Sequence, residues 1–333
     1  MTRLVSIDIA KAICITLVVI GHYLPDNSPN WYVTLNDIIY QFHMPLFMFV
    51  SGYLYLATRK PVKYKNFIWK KFQRLMIPYF FVSIIIITIK LLTEGGLSVQ
   101  NPVTYSAFYE MFYLPVAGFF LWFVFVLFLI FLIVPFFNTR KHLPILFLLS
   151  LVLYILPVPF PKIFCLAQFK VNFLYFALGC VFYEWINIRR FVDKIHFLFV
   201  LCLFACIYIL KTHIDTVVIK KIVEPCISFL GIIFVLNLSK YIEQKMNFMK
   251  NVLLNISMCS FTIYLFHTTF EGFAKAIILK LPLSVMNEFI FVLIASIVIS
   301  VGIIVPVILH NIIIRYSKFV SFLIGVNYTE KIK

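Results

Sequence analysis

Long apolar stretches without charge constrain this fold more than any other feature of the sequence. Residues 119–137 and 289–309 each contain about 20 residues without a charged side chain, the length that a helix needs to cross a hydrocarbon core. Hydrophobic residues make up 63% of the 333-residue chain, and its mean hydropathy is +1.01. A soluble domain cannot bury that much apolar surface. We therefore predict an all-α fold and a polytopic integral membrane protein.

Hydropathy places about ten transmembrane helices along the chain, and we expect one transmembrane domain over residues 1–333 with no separate soluble domain. The first helix carries Asp8 and Lys11 and precedes no small-residue cleavage site, so we expect it to be retained rather than removed as a signal peptide. The aromatic segment 93–118 is expected to cover the outer face as an interfacial or re-entrant stretch. The helices are predicted at roughly 5–24, 37–57, 72–92, 118–138, 143–157, 171–186, 195–211, 219–239, 250–272 and 286–314.

The positive charge of the chain is unevenly distributed. The formal net charge is +16, which could indicate nucleic acid. However, residues 59–74 contain seven Lys and Arg, whereas 25–36 and 93–118 contain none, and such bias marks the cytoplasmic side of a membrane protein. Lysines in other outer segments weaken this count without reversing it. We expect a multi-pass protein of the bacterial cytoplasmic (inner) membrane with both termini cytoplasmic, contact with membrane lipids, and no nucleic-acid partner.

The seven cysteines lie mostly inside apolar runs. Apart from the pair Cys202 and Cys206, their spacing does not match that of a metal site. We expect free core thiols and no bound metal.

Three ionisable residues lie on the predicted first helix, where charge is costly in lipid: Asp8, Lys11 and His22. Lys11 and His22 are eleven positions apart, which is about 20° past three helical turns, so they share one face with a rise of about 16 Å between them. Asp8 precedes Lys11 by three residues and can pair with it. The alternative is that Lys11 extends to the cytoplasmic headgroups and His22 only caps the outer helix end.

The second predicted helix carries His43, Pro45, Ser51 and Gly52. Pro45 frees the backbone carbonyl of Gln41, which must then find a donor on a neighbouring helix or in a cavity. His43 fits either an interhelical hydrogen bond or a site residue. Ser51 and Gly52 fit a close helix contact better than a nucleophile.

Two further pairs lie one helical turn apart. Lys71 and Arg74 could clamp phosphate groups, Arg through a planar fork and Lys as a point charge. Their alternative role is that of a cytoplasmic membrane anchor. We expect Tyr264 and His267 to be polar side chains of the core whose hydrogen bonds are satisfied within the protein.

Taken together, these motifs resemble the acyltransferase-3 family of integral membrane O-acyltransferases that act on cell-surface glycans. Lys11, ten intervening residues and His22 match the family's first-helix pattern. Residues 42–47 with 51–53 match its second-helix signature, and 121–123 and 260–267 fit later landmarks. The order of these motifs covers nearly the whole chain.

The resemblance implies a ten-helix core that moves an acyl group from cytoplasmic acyl-CoA to a sugar hydroxyl of a cell-surface or lipid-linked glycan. Acetyl-CoA is the first expected donor and succinyl-CoA the second, and no bound cofactor is expected. The appended extracytoplasmic domain of some members is not expected here. The alternatives are a transporter or flippase of lipid-linked glycans and, third, a membrane scaffold.

The family pattern also implies roles for single residues. His22 is the implied catalytic residue, acting as general base or as covalent acyl carrier, with Lys11 and Asp8 as its charged partners. Lys71 and Arg74 match the family's Arg-x-x-Arg motif for acyl-CoA, although Lys replaces its first arginine. The residues expected to support the substrate or the structure are His43, Ser51, Trp122, Tyr264 and His267.

Overall fold

The computed structural model describes residues 4–93, 102–214, 216–278 and 287–328, without the side chains of 217, 218 and 220. Part of the predicted outer cover, 94–101, and residues 329–333 of the C terminus, which was predicted to be cytoplasmic, lie outside these ranges. The described ranges form helices and connecting segments, with no strand among them. The predicted all-α fold is confirmed.

The fourteen α-helices of the described chain cover all ten predicted helices. They are α1 (Val5–His22), α2 (Asn30–Ala57), α3 (Tyr64–Lys71), α4 (Ile77–Thr93), α5 (Ala107–Glu110), α6 (Trp122–Ile133), α7 (Leu143–Ile155), α8 (Leu166–Glu184), α9 (Ile186–Val192), α10 (Phe197–Thr212), α11 (Val217–Lys245), α12 (Asn247–Ile278), α13 (Glu288–Tyr316) and α14 (Lys318–Leu323). A π-helical turn (Phe72–Met76) joins α3 to α4, and short 3-10 turns flank α6 and precede α8.

Several helices are long and apolar enough to cross a membrane. Within the described ranges seven stretches qualify, or up to eight if α9 and α10, which meet at 85°, form one bent span. This confirms a polytopic membrane protein. Three predicted spans fall outside the seven: α10 belongs to the bent pair, α7 is a shorter apolar helix, and α2 carries the polar side chains Asp37, Gln41 and His43. The seven are Val5–His22, Tyr64–Thr93, Phe119–Phe137, Ile163–Glu184, Lys221–Lys245, Asn247–Ile278 and Glu288–Tyr316.

The chain divides into two compact units, each assembled from two stretches of sequence. Unit 1 comprises Met1–Arg59 and Tyr175–Ser260, and unit 2 comprises Lys60–Leu174 and Phe261–Lys333. In unit 1, the helices α1, α2 and α11 pack against one another, and α10 packs on α11. In unit 2, α6 packs against α3 and the π-helical turn, and α14 contacts α4 and α13.

Two glycines let α2 and α8 approach closely in unit 1. A Cβ atom added to Gly52 would overlap the carbonyl oxygen of Phe176, and one added to Gly179 would overlap that of Phe49. Small residues at such crossings allow the close backbone packing on which helix association in lipid depends. The predicted close helix contact at Ser51 and Gly52 is therefore confirmed for the glycine.

The Gln41 carbonyl, which Pro45 leaves without a donor in its own helix, has a donor on a neighbouring helix. The proline ring leaves the carbonyl of Gln41 without an intrahelical N–H. Ser228 of α11 donates its hydroxyl to that carbonyl at 2.6 Å, and Ser228 is only 4% exposed. The proline therefore ties α2 to α11.

Two buried tyrosines fix the described part of the outer segment in unit 2. The Tyr79 hydroxyl lies 2.7 Å from the carbonyl of Met111 and 3.1 Å from that of Leu114. The Tyr264 hydroxyl donates to the carbonyl of Phe120 at 2.5 Å. The bond from Tyr79 to the Met111 carbonyl thus gives a partner to an irregular stretch of backbone, as such backbone in lipid requires.

The prediction of core thiols is right for four cysteines and wrong for three. Cys14, Cys165, Cys180 and Cys259 are buried and free, whereas Cys202, Cys206 and Cys226 are free but exposed. The exposed thiols lie on α10 and α11, whose packing leaves part of their apolar surface uncovered. An apolar run alone does not tell a lipid-facing side from a core-facing side.

Candidate functional site

The first helix brings Asp8 and Lys11 together as predicted. The Lys11 ammonium lies 3.8 Å from a carboxylate oxygen of Asp8, and the two side chains are 24% and 23% exposed. The Ser257 hydroxyl lies 3.4 Å from the same oxygen of Asp8. Each charge is therefore partly compensated inside unit 1, which lowers the cost of holding it within a membrane helix.

His22 is the last residue of α1 and is partly buried. Because α1 is one continuous helix from Val5 to His22, the predicted register holds, and Lys11 and His22 lie on the same face. The turn that ends in His22 is held by α2: Tyr32 donates to the Ile20 carbonyl at 3.2 Å, and Asn36 donates to the Gly21 carbonyl at 2.8 Å.

His43 and Ser51 make bonds within their own helix. The Nδ1 atom of His43 lies 2.9 Å from the Ile39 carbonyl, the residue is 3% exposed, and its ring meets Tyr40 edge to face. The contact of His43 with another helix is made by its backbone carbonyl, which lies 3.0 Å from the Cys14 sulfur of α1. Ser51 donates back to the Phe47 carbonyl at 2.8 Å. Both contacts fit packing roles.

Lys71 and Arg74 lie at the π-helical turn of unit 2, but their side chains face different surroundings. The Lys71 ammonium lies over the Phe131 ring, 3.9 Å from its centroid, whereas Arg74 is exposed. Pro78 has no N–H to donate to the Arg74 carbonyl, and π-helical turns of this kind are frequent at functional sites. Because Arg74 is exposed and the Lys71 ammonium lies over the Phe131 ring, Arg74 is the more accessible charge for an anionic ligand.

Trp122, Tyr264 and His267 also belong to unit 2. Trp122 is the first residue of α6 and is partly buried. His267 is fully buried, and its Nδ1 atom lies 3.1 Å from the Ile263 carbonyl and 2.9 Å from that of Tyr264. The Tyr264 hydroxyl is bound to the Phe120 carbonyl, as expected for a satisfied core residue. For His267 the described hydrogen-bond contacts involve the Nδ1 side of the ring.

Glu271 is an ionisable residue of α12 that the sequence analysis does not single out. It is 2% exposed, and its Oε1 atom receives no hydrogen bond from any residue that the structure describes. It follows His267 by four residues and precedes Lys275 by four, so the three share one side of α12. The Glu-to-Lys spacing is the sequence signal that could have identified it. Because ionisable residues buried in membrane helices are mostly functional, Glu271 is a candidate site residue.

The structure therefore distributes the predicted residues between the two units. Unit 1 holds Asp8, Lys11, His22, His43 and Ser51, and unit 2 holds Lys71, Arg74, Trp122, Tyr264 and His267. In the described parts of the chain, no group of three or more His, Cys, Asp or Glu could hold a metal ion.

A model of one protein family matches nearly the whole chain. It is the acyltransferase-3 family, described as an acyltransferase domain, and the match covers residues 4–308. No solved structure matches the chain.

Two curated relatives match a shorter stretch. Nodulation protein NolL of Mesorhizobium japonicum is 37% identical over 93 residues, which are 26% of this chain and 25% of that protein. Nodulation protein NolL of Sinorhizobium fredii is 38% identical over 94 residues, which are 27% of this chain and 26% of that protein. The matched stretch thus spans about a quarter of each relative's length.

Proposed function

This chain belongs to the acyltransferase-3 family, and from that premise we propose that it is a membrane O-acyltransferase that moves an acyl group from acyl-CoA to a sugar hydroxyl. Acetyl-CoA is the proposed donor, and a cell-surface or lipid-linked glycan is the proposed acceptor. The observation that carries the proposal is the placement of Lys11 and His22 on one face of the unbroken helix α1, both partly buried.

His22 is proposed as the general base. An imidazole titrates near neutral pH, as this role requires. It takes the proton of the acceptor hydroxyl as the oxygen attacks the acyl carbonyl carbon. The C–S bond then breaks, and coenzyme A leaves as a thiolate that receives this proton from the His22 imidazolium, which restores the neutral imidazole. A covalent route through an acyl-histidine uses the same residue and the same leaving group.

Lys11 and Asp8 are proposed to support this chemistry from the same helix. Because the rise along α1 from Lys11 to His22 is about 16 Å, the Lys11 ammonium is proposed to orient the bound acyl donor at a distance from the reacting carbonyl. Asp8, 3.8 Å away, holds that ammonium in place. Ser257 adds a hydroxyl to the carboxylate.

Arg74 and Lys71 are proposed to bind the phosphate groups of acyl-CoA at the cytoplasmic surface. Arg74 is exposed and can make a bidentate phosphate contact. Lys71 would have to leave the Phe131 ring to do the same. This placement assumes cytoplasmic termini and a bacterial inner membrane, as the charge bias predicts.

Family membership favours acyl transfer over the alternative of a transporter or flippase of lipid-linked glycans. A transporter could use Asp8, Lys11 and His22 as a translocation path, but it would give the Lys71 and Arg74 pair no ligand. The two functions can be told apart by one product, because only a transferase releases free coenzyme A.

The test is acyl transfer by purified protein in lipid nanodiscs. The protein is incubated with radiolabelled acetyl-CoA and a lipid extract of cells that make the surface glycan. We expect release of coenzyme A and label in the glycan fraction, with excess succinyl-CoA showing whether the donor site accepts a longer acyl group. If the folded protein yields neither free coenzyme A nor labelled glycan, the proposal is contradicted.

A further inference from the structure

The end of α1 depends on another helix for its hydrogen bonds. The last carbonyls of any α-helix have no intrahelical donor. At the end of α1 the Tyr23 N–H donates to the Ile20 carbonyl at 3.2 Å, and the backbone turns into an extended conformation at Tyr23. The Gly21 carbonyl, directly before His22, receives no such bond from the described backbone beyond the helix end. Without outside donors this turn would fray, and the imidazole would move with it.

The first turns of α2 supply those donors. The Asn36 amide donates to Gly21 at 2.8 Å, and the Tyr32 hydroxyl donates to Ile20 at 3.2 Å. Asn36 is 6% exposed and Tyr32 is 4% exposed, so water competes little for either bond. Gly21 also packs closely against the Tyr40 ring. Tyr32, Asn36 and Tyr40 are spaced by four residues and therefore lie on one side of α2.

We propose that Asn36 is a positioning residue for His22, an inference that rests on the function proposed above. Its amide fixes the last turn of α1 and thereby holds the imidazole where it can take a proton. A shift of about 1 Å in a reacting group can cost about 100-fold in rate. Asn36 touches no reacting atom in this account, so its effect passes entirely through His22.

A second asparagine in unit 1 provides a matched control. Asn237 of α11 is 7% exposed and donates to the carbonyls of Val192 and Ile195, at the end of α9. It caps a helix end as Asn36 does, but the helix it caps carries none of the proposed catalytic residues. Its loss should affect stability to a similar degree without affecting the chemical step.

The experiment is a double-mutant cycle on transfer from radiolabelled acetyl-CoA. Asn36→Ala and Asn36→Leu remove the donor, the second without leaving a cavity. Each is measured with His22 intact and in a His22→Ala background, next to Asn237→Ala. We expect Asn36 variants to lower kcat about tenfold or more with an unchanged KM for acetyl-CoA, and to cause no further loss once His22 is gone.

Three results would overturn the inference in distinguishable ways. A normal kcat in the Asn36 variants, or an equal loss in Asn237→Ala, removes the positioning role and leaves the proposed function standing. An undiminished loss in the His22→Ala background shows that Asn36 acts independently of the imidazole. No transfer by the wild-type protein removes the proposed function and the inference together. The unfolding midpoint of each variant shows whether its loss of kcat is explained by a smaller fraction of folded protein.

Discussion

The bond between Ser228 and the Gln41 carbonyl should stabilise the fold measurably, because Pro45 leaves that carbonyl no donor of its own. Ser228→Ala removes the hydroxyl at 2.6 Å and places a methyl group against a buried acceptor. The same hydroxyl also lies 3.1 Å from the Glu224 carbonyl. That second contact matters little, because the Glu224 carbonyl already accepts the Ser228 N–H within α11.

The expected magnitude follows from the buried acceptor. A polar group left unsatisfied in a protein interior costs about 1–3 kcal/mol. Hydrogen bonds between membrane helices average about 0.6 kcal/mol and reach about 1.7 kcal/mol, because the unfolded chain in lipid finds other partners. Ser228 is 4% exposed, so we expect a loss of about 1 kcal/mol in the free energy of unfolding.

The assay is equilibrium unfolding in mixed dodecyl maltoside and dodecyl sulfate micelles. Ser239→Ala is the control, because Ser239 is fully buried but donates to Val235 within its own helix at 2.7 Å, where the acceptor already has a partner. Pro45→Ala restores a backbone N–H for Gln41 and should reduce the cost of Ser228→Ala. Equal costs for the two serines, or no relief from Pro45→Ala, would refute the reasoning.

Three further predictions follow from other parts of the molecule. Gly52→Ala should lower the free energy of unfolding by about 1–3 kcal/mol, since its Cβ meets a backbone carbonyl of α8. Its control is Gly272→Ala, which has nothing within 4 Å of the new Cβ and should be neutral or slightly stabilising in the same unfolding assay. Arg74→Ala should raise the KM for acetyl-CoA more than Lys71→Ala, and added salt should reduce the difference if screened charge is responsible; unchanged KM values would return both residues to membrane anchors. Reporter fusions at Asn30 and at the C terminus should report opposite compartments, and a shared compartment would contradict the predicted topology.

Hydropathy predicted the helices of this fold well, because lipid leaves the backbone few alternatives to the helix. It placed the start of α2 too late, near residue 37 instead of Asn30. The missed turns include Trp31, Thr34 and Asn36, a mixed polar and aromatic stretch that gives no apolar run. Their helical state depends on packing against the end of α1, which no local pattern records.

The candidate site was predictable where it depends on spacing within one helix. The pairing of Asp8 with Lys11 and the shared face of Lys11 and His22 both follow from helical register. Partners distant in the sequence were not predictable: Pro45 indicated that Gln41 needs a donor, but not that it is Ser228, 187 residues away.

Side-chain surroundings across helices were likewise hidden from the sequence. The Lys71 ammonium was expected to face phosphate, yet it lies over Phe131 on another helix. Glu271 was missed because it lies at the predicted end of its helix, near residue 272, where a charged residue is ordinary. The structure continues α12 to Ile278 and buries that carboxyl.

The most direct test of the central claim is the rate of acyl transfer from radiolabelled acetyl-CoA by His22→Ala in lipid nanodiscs. His43→Ala is the control, because His43 is a buried histidine of the same unit whose ring Nδ1 atom lies 2.9 Å from the Ile39 carbonyl of its own helix, and whose contact with Cys14 of α1 uses the backbone, which the substitution keeps. We expect His22→Ala to insert and fold normally and to lose about 10²- to 10⁴-fold in rate, as the loss of a general base does. His43→Ala should retain most of its rate per folded molecule. Transfer by His22→Ala close to that of the wild-type protein would contradict the account.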